Sequence, residues 1–148
     1  MKTLSIATKS EMLNLGNQIG QMLHPGAFVA LYGDLGTGKS VLARGVASAF
    51  GIGSLTSPTF TIVQEYPTEP KLFHFDAYRL SDEEELYAIG FDDYLKEDGI
   101  ILMEWANLVP GCLPKSRLDI RISGSGTEPR NVDLVPVGEE YSALVDAL

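Results

Sequence analysis

The sequence predicts one α/β domain that spans residues 1–148 and is built around a mostly parallel sheet. Two observations carry this prediction. Segments with helical apolar spacing alternate with short, wholly apolar runs, which are typical of strands covered on both faces. The length of 148 residues is that of one ordinary domain, and no repeat, linker or low-complexity tract interrupts it.

The first half of the chain predicts a helix, a strand and a second helix. Thr8 and Glu11 fit a capping box, and the apolar positions that follow recur at helical spacing until residues 24–26. The wholly apolar run 28–32 predicts a buried strand. Residues 39–50 then predict a helix in which Gly45 indicates a close packing contact, because glycine there is otherwise unfavourable.

The second half predicts further strands and short helices. Residues 59–66 and 72–76 fit an antiparallel hairpin. A second capping box opens a short helix that ends near Gly90. Residues 100–103 predict a second buried strand, and the alternation over 118–122 predicts a half-buried one. A return strand and a terminal helix complete the prediction.

The composition excludes several classes of protein. The single cysteine, Cys112, cannot form an intrachain disulfide, so a disulfide-stapled secreted scaffold is excluded. The longest apolar runs, 28–32 and 100–103, are far shorter than the ~20 residues that span a bilayer. No apolar signal segment is visible near Met1, so we expect a reduced, cytoplasmic setting and no membrane association.

The net charge of −9 opposes direct binding to a nucleic-acid backbone, because lysine and arginine must replace counterions there. Acidic residues are concentrated between Asp82 and Asp98, where Lys96 is the one basic residue. We interpret this segment as a solvated helix face. A docking surface for a basic partner is the alternative.

The segment 33–40 fits the pattern G-x-x-x-x-G-K-[ST] between a predicted strand and a predicted helix. Glycines let backbone N–H groups point at phosphate oxygens, and the following helix N-terminus favours negative charge. Lys39 is expected to reach the β- and γ-phosphates, and the Ser40 hydroxyl to bind Mg²⁺. A chance glycine turn is the alternative. The predicted nucleotide-binding residues are Gly33, Asp34, Leu35, Gly36, Thr37, Gly38, Lys39 and Ser40.

Two carboxylates close predicted strands: Asp76 follows 72–75, and Glu104 follows 100–103. Ligands of open α/β sheets collect at the carboxyl ends of strands, so either could face the phosphates. We predict Glu104 as the carboxylate on the metal side, with a structural helix cap as the alternative. Asp76 is predicted to position or deprotonate the attacking water, or to hold the metal through water. Its alternative is a cap or an ion pair with Arg79.

Weaker signals surround these residues. Thr59, after Pro58, is a candidate switch residue that senses the γ-phosphate, or else simply starts a strand. Arg79 is interpreted as a structural ion pair in preference to a group that neutralises transition-state charge. His74 is interpreted as a core residue, since no His or Cys partner stands at zinc-ligand spacing. Trp105 is either a core residue or a contact to a partner.

Together these motifs resemble the bacterial TsaE (YjeE) family. The resemblance rests on the segment 31–40, on S-P-T-F at 57–60, on H-F-D-A-Y-R-L at 74–80 and on Glu-Trp at 104–105. It extends from the N-terminal helix to the strand near 118–122. It implies a three-layer, P-loop NTPase-like fold with a mixed sheet flanked by helices, an ATP and Mg²⁺ site, and weak hydrolysis by the isolated protein.

The family acts with two partner proteins in making N6-threonylcarbamoyladenosine at position 37 of tRNAs that read codons starting with A. The resemblance therefore implies the TsaB–TsaD heterodimer as partner, with tRNA engaged only indirectly. Carried over by residue, the family's phosphate loop falls on 33–40, its metal ligands on Ser40 and Glu104, and its functional aspartate on Asp76. The absence of an N-K-x-D segment at a suitable place also favours ATP over GTP.

The chain departs from the family pattern in small ways. Ser40 stands where threonine is more common, and either hydroxyl can bind magnesium. The last thirty residues match weakly, which leaves Arg130 as a candidate adenine or phosphate contact and Thr8 as a candidate adenine contact. Two other functions stay open: a nucleotide-gated binding module without significant catalysis, and a small-molecule kinase, although no arginine-rich lid segment is present.

Overall fold

Strands and helices alternate along the part of the chain that the computed structural model describes, residues 1–56, 58 and 61–148. The strands are β1 (Lys2–Ile6), β2 (Phe28–Tyr32), β3 (Val63–Tyr66), β4 (Leu72–Asp76), β5 (Ile100–Glu104), β6 (Arg117–Ser123) and β7 (Arg130–Val137). The α-helices are α1 (Lys9–Met22), α2 (Lys39–Ser48), α3 (Glu83–Ala88), α4 (Phe91–Lys96) and α5 (Ser142–Ala147). Short 3₁₀ turns lie at Ala106–Leu108, Pro110–Cys112 and Glu139–Tyr141.

All seven strands form one sheet in the order β1-β7-β6-β2-β5-β4-β3. The four central strands, β6, β2, β5 and β4, run parallel to one another. The outer strands pair antiparallel, β3 with β4 at one edge and β7 and β1 beyond β6 at the other. The predicted mixed sheet is therefore confirmed, with its parallel pairings confined to the centre.

Helices cover both faces of the sheet, and strand β2 shows why. Its side chains alternate between the faces, so Val29 and Leu31 enter one apolar cluster while Phe28 and Ala30 enter the other. The first cluster contains residues of α1, α2 and α5, and the second contains residues of α3 and α4. The three-layer arrangement is confirmed, and it explains why β2 and the first four residues of β5 are apolar throughout.

Helices α1 and α2 pack unusually closely, through glycine. A Cβ atom placed on Gly45 would lie 2.4 Å from the carbonyl oxygen of Leu13 and 3.0 Å from Cα of Gly16. Any side chain at this position would therefore separate the two helices. The contact predicted at Gly45 is confirmed, and it sets the position of α2 on the sheet.

Several element boundaries differ from the sequence prediction. Strand β1 was not predicted, nor was α4 as a helix separate from α3. Strand β3 begins at Val63, because the left-handed backbone of Ile62 (φ 67°) lies outside the β region. Helix α3 is capped by Asp82, whose Oδ1 accepts from the N–H of Glu85 at 3.1 Å. Among the described residues, no helix has the length and apolar character needed to cross a membrane.

The contact between α1 and α2 generates a test. We expect Gly45→Ala to lower the free energy of unfolding by about 1–3 kcal/mol, because the added methyl group would meet backbone atoms that cannot rotate away. Urea denaturation followed by circular dichroism measures the change. Gly53→Ala is the matched control, since a Cβ there meets no atom within 4 Å. Equal stability of the two variants would contradict this account of the packing.

Candidate functional site

A cavity of about 530 Å³ lies at the carboxyl edge of the parallel strands. Its walls come from residues 34–40, from the start of α1, from the ends of β4 and β5, and from the turn that leads into β7. Parallel strands end together at this edge, which is where open α/β sheets collect their ligands. The structure therefore brings the segments named from the sequence to one place.

The glycine-rich loop, residues 33–40, joins the end of β2 to the start of α2. Seven of its eight residues line the cavity, and Gly33 lies behind them. A Cβ on Gly33, at φ 153°, would lie 2.8 Å from both the carbonyl oxygen of Ile122 and Oγ1 of Thr37. Only glycine fits this close approach. The Thr37 hydroxyl donates to the carbonyl oxygen of Asp34 at 2.8 Å and so closes the loop upon itself.

Lys39 is the buried cation of the cavity, with 5% of its surface exposed. Its ammonium donates to the carbonyl oxygen of Gly33 and lies 3.5 Å from the centre of the Trp105 ring. Burial lowers the pKa of Lys39, while the nearby charges of Glu104 and Asp76 act in the opposite direction. The ammonium is thus bonded to the loop and lies within the electrostatic reach of two carboxylates.

Asp76 and Glu104 are direct neighbours on adjacent parallel strands, paired in the β4–β5 register. Both line the cavity. Oδ1 of Asp76 accepts from the N–H of Tyr78 at 2.9 Å. Burial raises the pKa of Asp76, and the charge of Glu104 raises it further, while the Tyr78 N–H lowers it. Asp76 is therefore a carboxylate that binds a proton more readily than an exposed aspartate.

Glu104 is 7% exposed and is oriented by a histidine. His74 Nε2 lies 2.6 Å from Glu104 Oε2, a hydrogen-bond distance, within the sheet. His74 lies in the core, as predicted, but the sequence gives no sign of its contact with Glu104. His74 contacts Oε2 of Glu104, and among the described residues no hydrogen-bond donor contacts Oε1.

The oxygen donors at the cavity are of the kind that Mg²⁺ takes in proteins. They are the exposed hydroxyl of Ser40 and the carboxylates of Asp76 and Glu104. Within the described ranges, no group of three or more His, Cys, Asp or Glu residues is arranged to hold a metal ion. This donor set matches an ion that is shared with waters and a phosphate ligand, as Mg²⁺ usually is.

Trp105 lines the cavity, whereas the sequence left open whether it is a core residue or a contact to a partner. Its backbone is left-handed (φ 59°), a strained conformation for so bulky a residue. The indole ring lies against the ammonium of Lys39 on the cavity wall and is 4.8 Å from the ring of Tyr78. Its position directly after Glu104 was the one sequence signal available.

The two weakest candidates also line the cavity. Thr8 caps α1, with its hydroxyl oxygen accepting from the N–H of Glu11 at 3.1 Å. Arg130, at the start of β7, reaches across to the carbonyl oxygens of the glycine-rich loop. The candidate switch residue Thr59 lies outside the described residues.

Comparisons with known proteins identify the family of this chain. The sequence profile of the family described as "Threonylcarbamoyl adenosine biosynthesis protein TsaE" matches residues 6–132. A Bacillus subtilis protein named "tRNA threonylcarbamoyladenosine biosynthesis protein TsaE" is 40% identical over 126 residues, which cover 84% of this chain and 78% of the relative. The Haemophilus influenzae protein of the same name is 37% identical over 140 residues, 90% of this chain and 88% of its own.

A solved structure is similar over nearly the whole chain. The crystal structure of Bacillus subtilis YdiB superposes with a TM-score of 0.82 at 31% sequence identity, and the match covers 99% of this chain and 92% of that one. The three-layer α/β architecture with its glycine-rich loop is thus of the P-loop NTPase-like type. By its sequence and by its fold, this chain belongs to the TsaE family.

Proposed function

We propose that this protein is a slow ATPase that acts in the biosynthesis of N6-threonylcarbamoyladenosine in tRNA, working on a TsaB–TsaD heterodimer. One observation carries the ATPase proposal. A glycine-rich loop, a buried lysine and two strand-end carboxylates converge on one cavity. The biosynthetic role is supported by membership of the TsaE family and by the names of its curated relatives.

The cavity suits the polyphosphate of a nucleotide. The N-terminus of α2 opens directly behind the loop, so its free N–H groups and its dipole favour negative charge. Lys39 adds a full positive charge that burial keeps from being screened. In a protein of net charge −9, the lysine and the helix N-terminus together supply the positive end of the cavity, where an anion would bind.

A magnesium ion would be held by Ser40 and Glu104 together with the phosphates. When bound, Mg²⁺ would neutralise charge on the phosphate oxygens. The contact between His74 and Glu104 fixes the carboxylate, so that its other oxygen is available. Lys39 stands within the electrostatic reach of the same carboxylate and balances its charge before any ligand binds.

We propose that Asp76 is the residue that acts on the attacking water. Its carboxylate is half-buried, and its raised pKa makes it a better proton acceptor than an exposed aspartate. The hydrogen bond from Tyr78 engages Oδ1 and leaves Oδ2 for a water molecule. Asp76 therefore either orients the attacking water or takes its proton.

A partner is supported by the rim of the cavity. Leu35, at the tip of the glycine-rich loop, is 76% exposed, and Tyr78, beside Trp105, is 53% exposed. We propose that the partner covers these two side chains when it binds. The acidic charge of the chain disfavours direct contact with tRNA, so action through a protein partner is the simpler arrangement.

ATP turnover by the pure protein, alone and with the TsaB–TsaD heterodimer, tests the proposal directly. We expect slow release of phosphate alone, strong stimulation by the heterodimer, and a loss of about a hundredfold in Lys39→Ala. Chelation of magnesium with EDTA should abolish turnover. The variant Lys39→Arg keeps the positive charge, so it is the matched control for the loss of charge in Lys39→Ala.

The outcomes separate the candidate functions. Equal turnover with and without the heterodimer would contradict the coupling. ATP binding without turnover in either condition would favour a nucleotide-gated binding module. Transfer of labelled phosphate to a metabolite, in place of release, would favour a small-molecule kinase.

Asp76→Asn is expected to lower turnover by about a hundredfold while ATP binding persists, because the amide cannot accept the proton. The same variant should melt a few degrees higher than the natural protein at pH 7. The folded state raises the pKa of Asp76, so the ionised form at pH 7 costs stability that a neutral amide avoids. Asn can still accept from the Tyr78 N–H.

The stability gain has a defined pH dependence. A group whose pKa is raised by folding stabilises the folded state fully below its ordinary pKa, here 3.8. This stabilisation is lost as pH rises through the raised pKa of the folded state. The melting temperatures of the two proteins should therefore converge as pH falls toward this range. Thermal denaturation without nucleotide measures the difference, and a variant that is less stable at pH 7 would contradict the assignment.

A further inference from the structure

Arg130 connects the last β-hairpin to the glycine-rich loop. Its Nε donates to the carbonyl oxygen of Thr37 at 3.0 Å, and its Nη2 donates to that of Gly36 at 3.3 Å. The same guanidinium donates to carbonyl oxygens of its own turn, those of Gly126 and Glu128. These partners are backbone oxygens, so the guanidinium acts as a clamp between two loops.

We infer that Arg130 is a positioning residue that fixes the glycine-rich loop in its phosphate-binding conformation, and that it does not read the base of the nucleotide. The identity of the ligand rests on the proposed function. The clamp itself is present in the protein without ligand, and it can be tested there.

Peptide geometry explains what the clamp achieves. A trans peptide is planar, so its carbonyl oxygen and the next N–H point in opposite directions. A carbonyl of Thr37 that is held by Arg130 therefore turns the N–H of Gly38 away from the guanidinium. In the same way, the bond to Gly36 fixes the N–H of Thr37, which donates to the carbonyl oxygen of Asp34 at 3.3 Å.

The loop needs such a constraint because of its own composition. Gly36 and Gly38 both adopt positive φ angles, and glycine loses more conformational freedom on ordering than any other residue. An external clamp removes part of this freedom before a ligand arrives, and preorganisation of this kind strengthens binding. Arginine suits the task, since its rigid fork presents several donors in fixed directions, whereas the donors of a lysine ammonium rotate freely.

The fold also places Arg130 securely. It is the first residue of β7 and pairs with Ile6 at the end of β1. The edge strand β1 therefore holds the base of the arginine, while Thr37 and Gly36 hold its tip. This gives the N-terminal strand a role at the site that its sequence does not show.

Arg130→Lys and Arg130→Gln test the inference by two measurements. The first is hydrogen exchange of the loop amides, residues 36–39, in the protein without nucleotide. We expect exchange to become about tenfold faster in both variants, since the clamp is lost whether or not the charge is kept. Arg121→Lys is the matched control. Its guanidinium lies 4.5 Å from the Tyr32 ring on the neighbouring strand and, among the described residues, donates to no carbonyl oxygen of the loop.

The second measurement is calorimetric binding of ATP, of inorganic tripolyphosphate and of adenosine. A positioning role predicts that Arg130→Lys weakens ATP and tripolyphosphate by the same factor, about ten- to hundredfold, and leaves adenosine unaffected. Weaker binding of ATP and adenosine, with unchanged binding of tripolyphosphate, would overturn the inference in favour of a base contact. Unchanged loop exchange would overturn it as well.

The failure of this inference can be distinguished from that of the proposed function. If the natural protein binds neither ATP nor tripolyphosphate, the ATPase proposal fails, while the exchange measurement still decides whether Arg130 holds the loop. Circular dichroism checks that each variant is folded. Should Arg130→Gln not fold, Arg130→Lys carries both measurements alone.

Discussion

The buried ammonium of Lys39 is the charge on which the arrangement of the site depends. Asp76 and Glu104 stand side by side at the ends of neighbouring strands, where two carboxylates would repel each other without a compensating cation. Lys39 supplies that cation and is itself desolvated. The two carboxylates are therefore tolerated because of the lysine, and removal of Lys39 would leave both of them without their cation.

Helix packing determines where that ammonium lies. Lys39 is the first residue of α2, and α2 lies against α1 through the contact of Gly45 with Leu13 and Gly16. Gly33, at the other end of the loop, is pressed against the backbone of Ile122 on β6. The loop is thus fixed at both ends by contacts that exclude side chains. The position of the loop therefore depends on three glycines, Gly16, Gly33 and Gly45, that do not line the cavity.

Sequence periodicity predicted the centre of the fold well because its signals are local. The runs in β2 and β5 are apolar throughout, so they indicated buried parallel strands, and the carboxylates after the strands could be placed at one edge. Strand β1 was not predicted because its evidence is distant: Leu4 pairs with Val132, and the five residues of β1 alone are too short to be diagnostic. Helix α4, residues 91–96, was not predicted because Gly90, which indicates the end of one helix, also caps the next.

The candidate site divides along the same line. The glycine-rich loop could be predicted because its pattern is contiguous and each residue type has a physical reason. The pair of His74 and Glu104 could not, since 30 residues separate them and the contact exists only because β4 lies beside β5. Likewise, nothing in the spacing connects Arg130 to Thr37, which are 93 residues apart. Contacts made by sheet order are invisible to local pattern.

Trp105 is the one tryptophan of the chain, and its indole ring lies against the ammonium of Lys39. The ultraviolet emission of the natural protein, excited where indole absorbs, therefore comes chiefly from a single position on the cavity wall. Indole emission responds to nearby charge and to solvent. The molecule thus carries its own optical reporter, and events at the lysine can be followed in real time without a label or a substitution.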